Sequence, residues 1–217
     1  MQIAIGLYPD FTALDAIGPY QVFALVPGAE VVLCAATPGT VTDDAGLLHI
    51  AVERAFADVP RPDVLLVPGG PGTGREIAGD SPVVDWVRSA HPHTQHTTSV
   101  CTGSLVLGGA GLLDGLDATT HWCYTDVLAG FGARPTEQRV VFQDERHIVT
   151  GAGVSAGIDL ALALAGRLAG DDVARAIQLG IEYDPQPPYD TGAPGKVEQP
   201  IRELVRASIA ASAARVS

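Results

Sequence analysis

Basic residues are scarce in this chain: 13 Lys and Arg stand against 25 Asp and Glu, for a formal net charge of −12. That balance repels a phosphate backbone, and no cluster of Lys or Arg offsets it, so no nucleic acid partner is expected. Long apolar runs are missing too; "AGIDLALALA", residues 156–165, falls well short of the roughly 20 residues that span a bilayer. The opening "MQIAIGLYPD" has no basic segment and meets Pro9 and Asp10 too early for a signal peptide. A cytoplasmic protein with no membrane association is the expectation. Cysteines number only three, and Cys34, Cys101 and Cys123 are widely spaced, which fits neither a disulfide framework nor a zinc site. Reduced thiols and no metal are therefore expected.

What is abundant is apolar and small. The 217 residues are 47% hydrophobic and 18% charged, with 25 glycines, enough to bury one sizeable core, most economically as a single domain over residues 1–217. Apolar runs of strand length at 2–7, 30–35, 63–67, 96–100, 118–120 and 147–150 alternate with helical patterns at 16–26, 81–90, 102–110, 122–129, 154–168 and 171–183. This alternation predicts an α/β fold, doubly wound, with a mostly parallel sheet and helices on both faces. "VVLCAA" and "DVLLVPGG" are almost continuously apolar, as strands covered on both faces should be. Residues 41–52 read as a short hairpin or edge strand. After Tyr183, "DPQPPYDTGAPGK" is too rich in Pro and Gly for a helix, and the chain then closes on a helical pattern through Ile201, Leu204, Val205 and Ile209. So long an irregular run is expected to cross the surface or to pack on a partner subunit as the arm of a homodimer.

The chemistry centres on "TTSVCTG", where a buried strand gives way to a helix at Cys101. The S-x-C-x-G arrangement is analogous to the strained strand–turn–helix of a G-x-S-x-G nucleophile elbow, with small residues Ser99 and Gly103 permitting the turn. A thiol there sits at a helix N-terminus, which favours the thiolate, and at the carboxyl end of a central strand, where open α/β sheets bind ligands. An exposed, reactive Cys101 of lowered pKa is thus expected, against the alternative of a buried structural cysteine. Cys34, in mid-strand, and Cys123, in a helix, read as structural. "LVPGGPG" ends another central strand and brings the N–H groups of Gly69 and Gly70 to the same edge; with the Thr102 amide they are expected to form an oxyanion hole. Asp15 in "FTALDAIGPYQVF" follows the first strand. It is either a helix N-cap or a partner of Cys101; in the second case the two acids share a proton, and Asp15 becomes a proton donor.

"PGGPG", "SVCTGSLVLGGAGLLDG", "ATTHW" and "LDAIGP" resemble the ThiJ/PfpI superfamily of class I glutamine-amidotransferase-like proteins over nearly the whole chain. "SVCTGSLVLGGAGLL", "ATTHW" and "QLGIEYDPQPPYDTGAP" together narrow the resemblance to a branch that hydrates isocyanides. It implies a flavodoxin-like domain, usually homodimeric, with Cys101 as nucleophile and Asp15 as acid. Peptidase and glyoxalase-like members place His directly after the cysteine, whereas Thr102 stands here, which weakens a Cys-His protease reading. His121 of "ATTHW" either approaches the site or makes a structural hydrogen bond. The reaction implied is attack of Cys101 on a small-molecule isocyanide to give a thioimidate that water converts to the N-formamide, with no cofactor required. Two alternatives stay open: a cysteine-dependent glyoxalase or deglycase acting on α-oxoaldehydes, and a ligand-sensing domain like that of AraC-type regulators.

Overall fold

The computed structural model describes residues 1–216. The chain runs through β1 (Gln2–Gly6), α1 (Ala13–Phe23), β2 (Glu30–Ala35), β3 (Gly39–Thr42), β4 (His49–Val52), β5 (Arg54–Ala55), β6 (Val64–Val67), α2 (Thr73–Ala78), α3 (Pro82–Ala90), β7 (His96–Val100) and α4 (Gly103–Gly109). It continues through β8 (Asp117–Ala118), α5 (Thr125–Gly130), β9 (Arg134–Pro135), β10 (Val140–Gln143), β11 (Ile148–Gly151), α6 (Ala156–Ala169), α7 (Asp171–Gly180) and α8 (Gln199–Arg215). The main sheet has the order β10-β11-β7-β6-β1-β2-β5, parallel throughout except for β10 against β11. β6 is buried along its whole length, and β1 and β7 in all but their first residue. That explains their near-continuous apolar or β-branched character.

Several elements depart from the sequence reading, among them the short strands β5 and β9, which were not expected. The strand expected at 118–120 is only the two-residue β8, which pairs with β9 outside the main sheet. The edge strand β10 was not anticipated; it joins β11 antiparallel across the turn at Asp144–Arg146, with His147 left-handed at φ 54°. Helix α2, at six residues, is too short to give a periodic signal. The hairpin expected at 41–52 is present as the separate ribbon β3–β4.

The chain order places the site. From β1 the sheet grows one way through β2 and β5, then reverses and grows the other way through β6, β7 and β11. The reversal falls between β1 and β6, and in open α/β sheets the crevice beyond the carboxyl ends of the strands at such a switch point is where ligands sit. Asp15, Gly69 and Cys101 lie just after β1, β6 and β7 respectively.

Candidate active site

Cys101 is held in a conformation that its side chain opposes. Its φ is +57°, a left-handed value uncommon outside glycine, and the surrounding bonds leave it little alternative. The Cys101 amide donates to both Gly151 O and Ala152 O, at 3.1 and 2.9 Å. Its carbonyl accepts from Ser104 Oγ and from Thr120 Oγ1, each at 3.1 Å. Gly103 is required because α4 starts against β6: a Cβ at that position would lie 2.2 Å from Val67 O. The strained elbow expected from "SVCTG" is therefore present.

The thiol environment differs from the expectation. Cys101 is 5% exposed, and its pKa is pushed well above the ordinary thiol value, first by burial and then by the Asp15 carboxylate beside it. The backbone amides of Val154 and Thr102 face the sulfur and pull in the opposite direction. The helix-terminus argument identified a real contribution but left out desolvation, which is larger. Val154 itself carries a positive φ of +32°. Its part in the site leaves no mark in the sequence, because a backbone amide has no side-chain signature.

Asp15 is fully buried in the first turn of α1. The N-cap position belongs to Thr12, so the capping alternative for Asp15 does not apply. Asp15 Oδ2 accepts the Gly69 N–H at 2.9 Å, and the carboxyl meets the Cys101 thiol. Oδ1 is buried without a well-formed hydrogen bond, yet the carboxyl and the thiol are close enough to act on each other's protonation. Burial raises the Asp15 pKa to about 7, the Gly69 amide and the thiol only partly offsetting it.

The glycine amides expected to form an oxyanion hole are committed elsewhere. Gly69 N–H serves Asp15, and Gly70 N–H donates to Thr102 Oγ1 at 2.9 Å. Close packing explains why these residues are glycines: a Cβ on Gly69 would lie 2.5 Å from the Thr102 nitrogen, and one on Gly70 would lie 2.5 Å from Asp10 O. Thr102 Oγ1 in turn meets Thr73 Oγ1 at 2.9 Å, which meets Tyr8 Oη at 2.8 Å. Tyr8 donates its single hydroxyl proton to Pro68 O at 2.7 Å, so Thr73 must donate to Tyr8. The Thr102 hydroxyl is thus part of a buried network that ties the 68–73 loop to the elbow, while its amide faces Cys101.

His121 lies on the cavity wall. Its Nδ1 accepts the Cys123 N–H at 3.3 Å, and burial lowers its pKa, which makes it a neutral ring with the proton on Nε2. It serves both expectations, with a structural bond at one nitrogen and a free donor at the other. The cavity above Cys101 measures about 160 Å³ and is bounded by Gly70, Thr102, His121, Tyr124 and Val154, with Ser208, Ile209 and Ser212 of α8 across it. The part played by α8 was not legible from sequence, since its contact with the elbow spans about a hundred residues. Among the described residues no cluster of His, Cys, Asp and Glu could hold a metal ion.

The DJ-1/PfpI family model matches residues 1–167. The chain belongs to the DJ-1/PfpI family. It is 43% identical to the isonitrile hydratase of Pseudomonas putida over 212 residues, covering 98% of this chain and 91% of that relative. The crystal structure of a ThiJ/PfpI family protein from Pseudomonas syringae superposes with a TM-score of 0.91 at 38% identity, covering 99% of this chain and 88% of the other. Drosophila melanogaster DJ-1beta shares the fold, with a TM-score of 0.74 at 22% identity over 83% of this chain and 97% of its own.

Proposed function

We propose that this chain hydrates isocyanides, R–N≡C, to N-formamides, with Cys101 as nucleophile and Asp15 as the group that moves the proton. The observation that carries the reading is the buried Cys101–Asp15 pair at the switch point, in a chain whose near-full-length relative is named for this reaction. With the carboxyl near 7 and the thiol higher, the pair at neutral pH holds one proton in many molecules. Transfer of that proton from sulfur to Asp15 leaves a thiolate facing the amides of Thr102 and Val154. The thiolate then bonds to the isocyano carbon while Asp15 delivers the proton to that same carbon, giving the thioimidate R–N=CH–S–Cys101. Water adds to the C=N carbon and its proton reaches nitrogen. Loss of sulfur from R–NH–CH(OH)–S–Cys101 forms R–NH–CHO, and the hydroxyl proton returns to the Cys101–Asp15 pair. No electrons are exchanged and no cofactor is needed. His121, neutral and on the cavity wall, offers an N–H donor to the substrate nitrogen or to the attacking water.

Mass spectrometry of the protein mixed with an isocyanide tests the reading. A mass increase equal to one isocyanide on Cys101 is expected, with formamide accumulating in wild type and not in Cys101→Ala. Full turnover by Cys101→Ala rejects it. Consumption of methylglyoxal in place of isocyanides favours the carbonyl alternative, and an absence of turnover on both favours the sensor. We further propose a cytoplasmic homodimer. Its arm, after α7, leaves Tyr189 75% exposed near Leu179 of α7 at 78% and Leu204 of α8 at 71% in chain order, apolar surface that a second copy would cover. No helix of the described residues is long and apolar enough to cross a membrane.

A further inference from the structure

Beside the Cys101 cavity lies a second and larger one, about 860 Å³, within the range of ligand sites in general. The two share His121 and Val154 as walls. The smaller space, about 160 Å³, matches a cavity of roughly 150 Å³ that accommodates one benzene ring. It therefore takes the isocyano group and about one ring, and the larger cavity, which adjoins it at His121 and Val154, offers room for a longer substituent.

What that substituent would meet is an aromatic ledge ending in positive charge. Tyr124 lines the small cavity, Trp122 the large one and His121 both. The His121 ring centroid is 6.3 Å from Tyr124 and 5.9 Å from Trp122. Over the outer end, Arg206 of α8 sits with its guanidinium carbon 5.0 Å from the Trp122 ring, and Arg202 lines the same space one helical turn earlier. The ion pairs of the described residues use neither of them. The Arg202 guanidinium donates to the Pro194 carbonyl, at 3.4 Å. The third arginine on this wall, Arg139, is already matched by Asp159 at 2.5 Å. Of the acids on the wall, Glu203 accepts from Gln199 at 2.6 Å, and Glu137 is exposed. In a chain carrying a net charge of −12, two arginines on one cavity wall without carboxylate partners, one of them over the Trp122 ring, offer an anion site, because guanidinium groups hold carboxylates with paired N–H donors.

We infer that the preferred substrates are isocyanides whose R group is an aryl ring extended by a carboxylate, the ring seated against His121 and Tyr124, the extension passing Trp122, and the carboxylate held by Arg202 and Arg206. The inference rests on the hydratase reading, and its test separates the two. Turnover of 3-(4-isocyanophenyl)propanoate is compared with that of the matching primary amide in wild type and in Arg202→Gln/Arg206→Gln. Wild type is expected to favour the acid about tenfold in kcat/KM, mainly through KM, as for a hydrogen bond to a charged group. The double variant is expected to bring the acid-to-amide ratio close to one. An equal ratio in the two proteins, or a wild-type preference for the amide, overturns the inference. Binding of the two formamide products, followed by tryptophan fluorescence, supplies a readout that needs no turnover. Trp86 is buried against Phe56, so a change on binding reports Trp122. If neither isocyanide is hydrated the hydratase reading fails. Tighter, arginine-dependent binding of the acid product would still support the anion site, and equal binding of both products would reject it.

Discussion

At the scale of single residues, the proposed mechanism rests on two buried acids set against each other. Asp15→Asn keeps an oxygen to accept the Gly69 N–H but removes the proton that the proposed mechanism has Asp15 move, and turnover should fall by about 10² to 10⁴-fold, as for loss of general acid–base catalysis. Asp15→Glu keeps the acid but displaces it by about one methylene, and a fall of around 10²-fold is expected from misplacement alone. Steady-state kinetics of the two variants measures both. Near-wild-type turnover in Asp15→Asn would remove the catalytic role. Stability should carry the same signature. A carboxyl at about 7 in the folded protein, against 3.8 when exposed, binds more protons folded than unfolded between those values, so its contribution is fully present below pH 4 and is lost as pH rises through 7. The span is worth on the order of 4 kcal/mol. Urea midpoints should therefore decline for wild type between about pH 5 and pH 8 relative to Asp15→Asn, and parallel curves for the two proteins would contradict the raised carboxyl.

At the scale of elements, the elbow depends on how closely α4 approaches β6. Gly103→Ala would drive a methyl group to 2.2 Å from Val67 O, a contact with backbone that no rotamer change relieves. A loss of about 3 kcal/mol or more is expected, at the upper end of overpacking costs, read as a lowered denaturant midpoint at unchanged slope. Gly109, on the same helix, would place its Cβ no closer than 3.7 Å to Val84; Gly109→Ala is a matched control and should be neutral or mildly stabilising, because alanine favours the helix. If Gly103→Ala proves as benign as Gly109→Ala, the packing account of the elbow is wrong.

At the scale of the whole molecule, the proposed homodimer predicts a sedimentation mass near twice the 22.4 kDa of one chain at micromolar concentration. Leu179→Lys or Tyr189→Lys should shift it toward monomer, since a charge in an apolar contact is costly to bury. A wild-type monomer at that concentration would contradict the arm's assigned role.

The strand–helix alternation, the parallel sheet and the elbow at Cys101 were all legible from the sequence, because they rest on local rules: two faces to cover, apolar periodicity, and small residues where the chain turns sharply. So was the candidacy of Asp15, which needs only a carboxyl after β1. Three matters were decided by tertiary structure alone. The thiol's rise in pKa comes from burial and from the Asp15 carboxylate, and desolvation depends on everything packed around a group rather than on its neighbours in sequence. The fates of the Gly69 and Gly70 amides were set by which acceptors the fold brought to them, Asp15 and Thr102. The Val154 amide entered the site through backbone geometry that no residue type announces. Local sequence chooses elements and turns; the dielectric around a buried acid, and the partner of each N–H, follow only once distant segments are in contact.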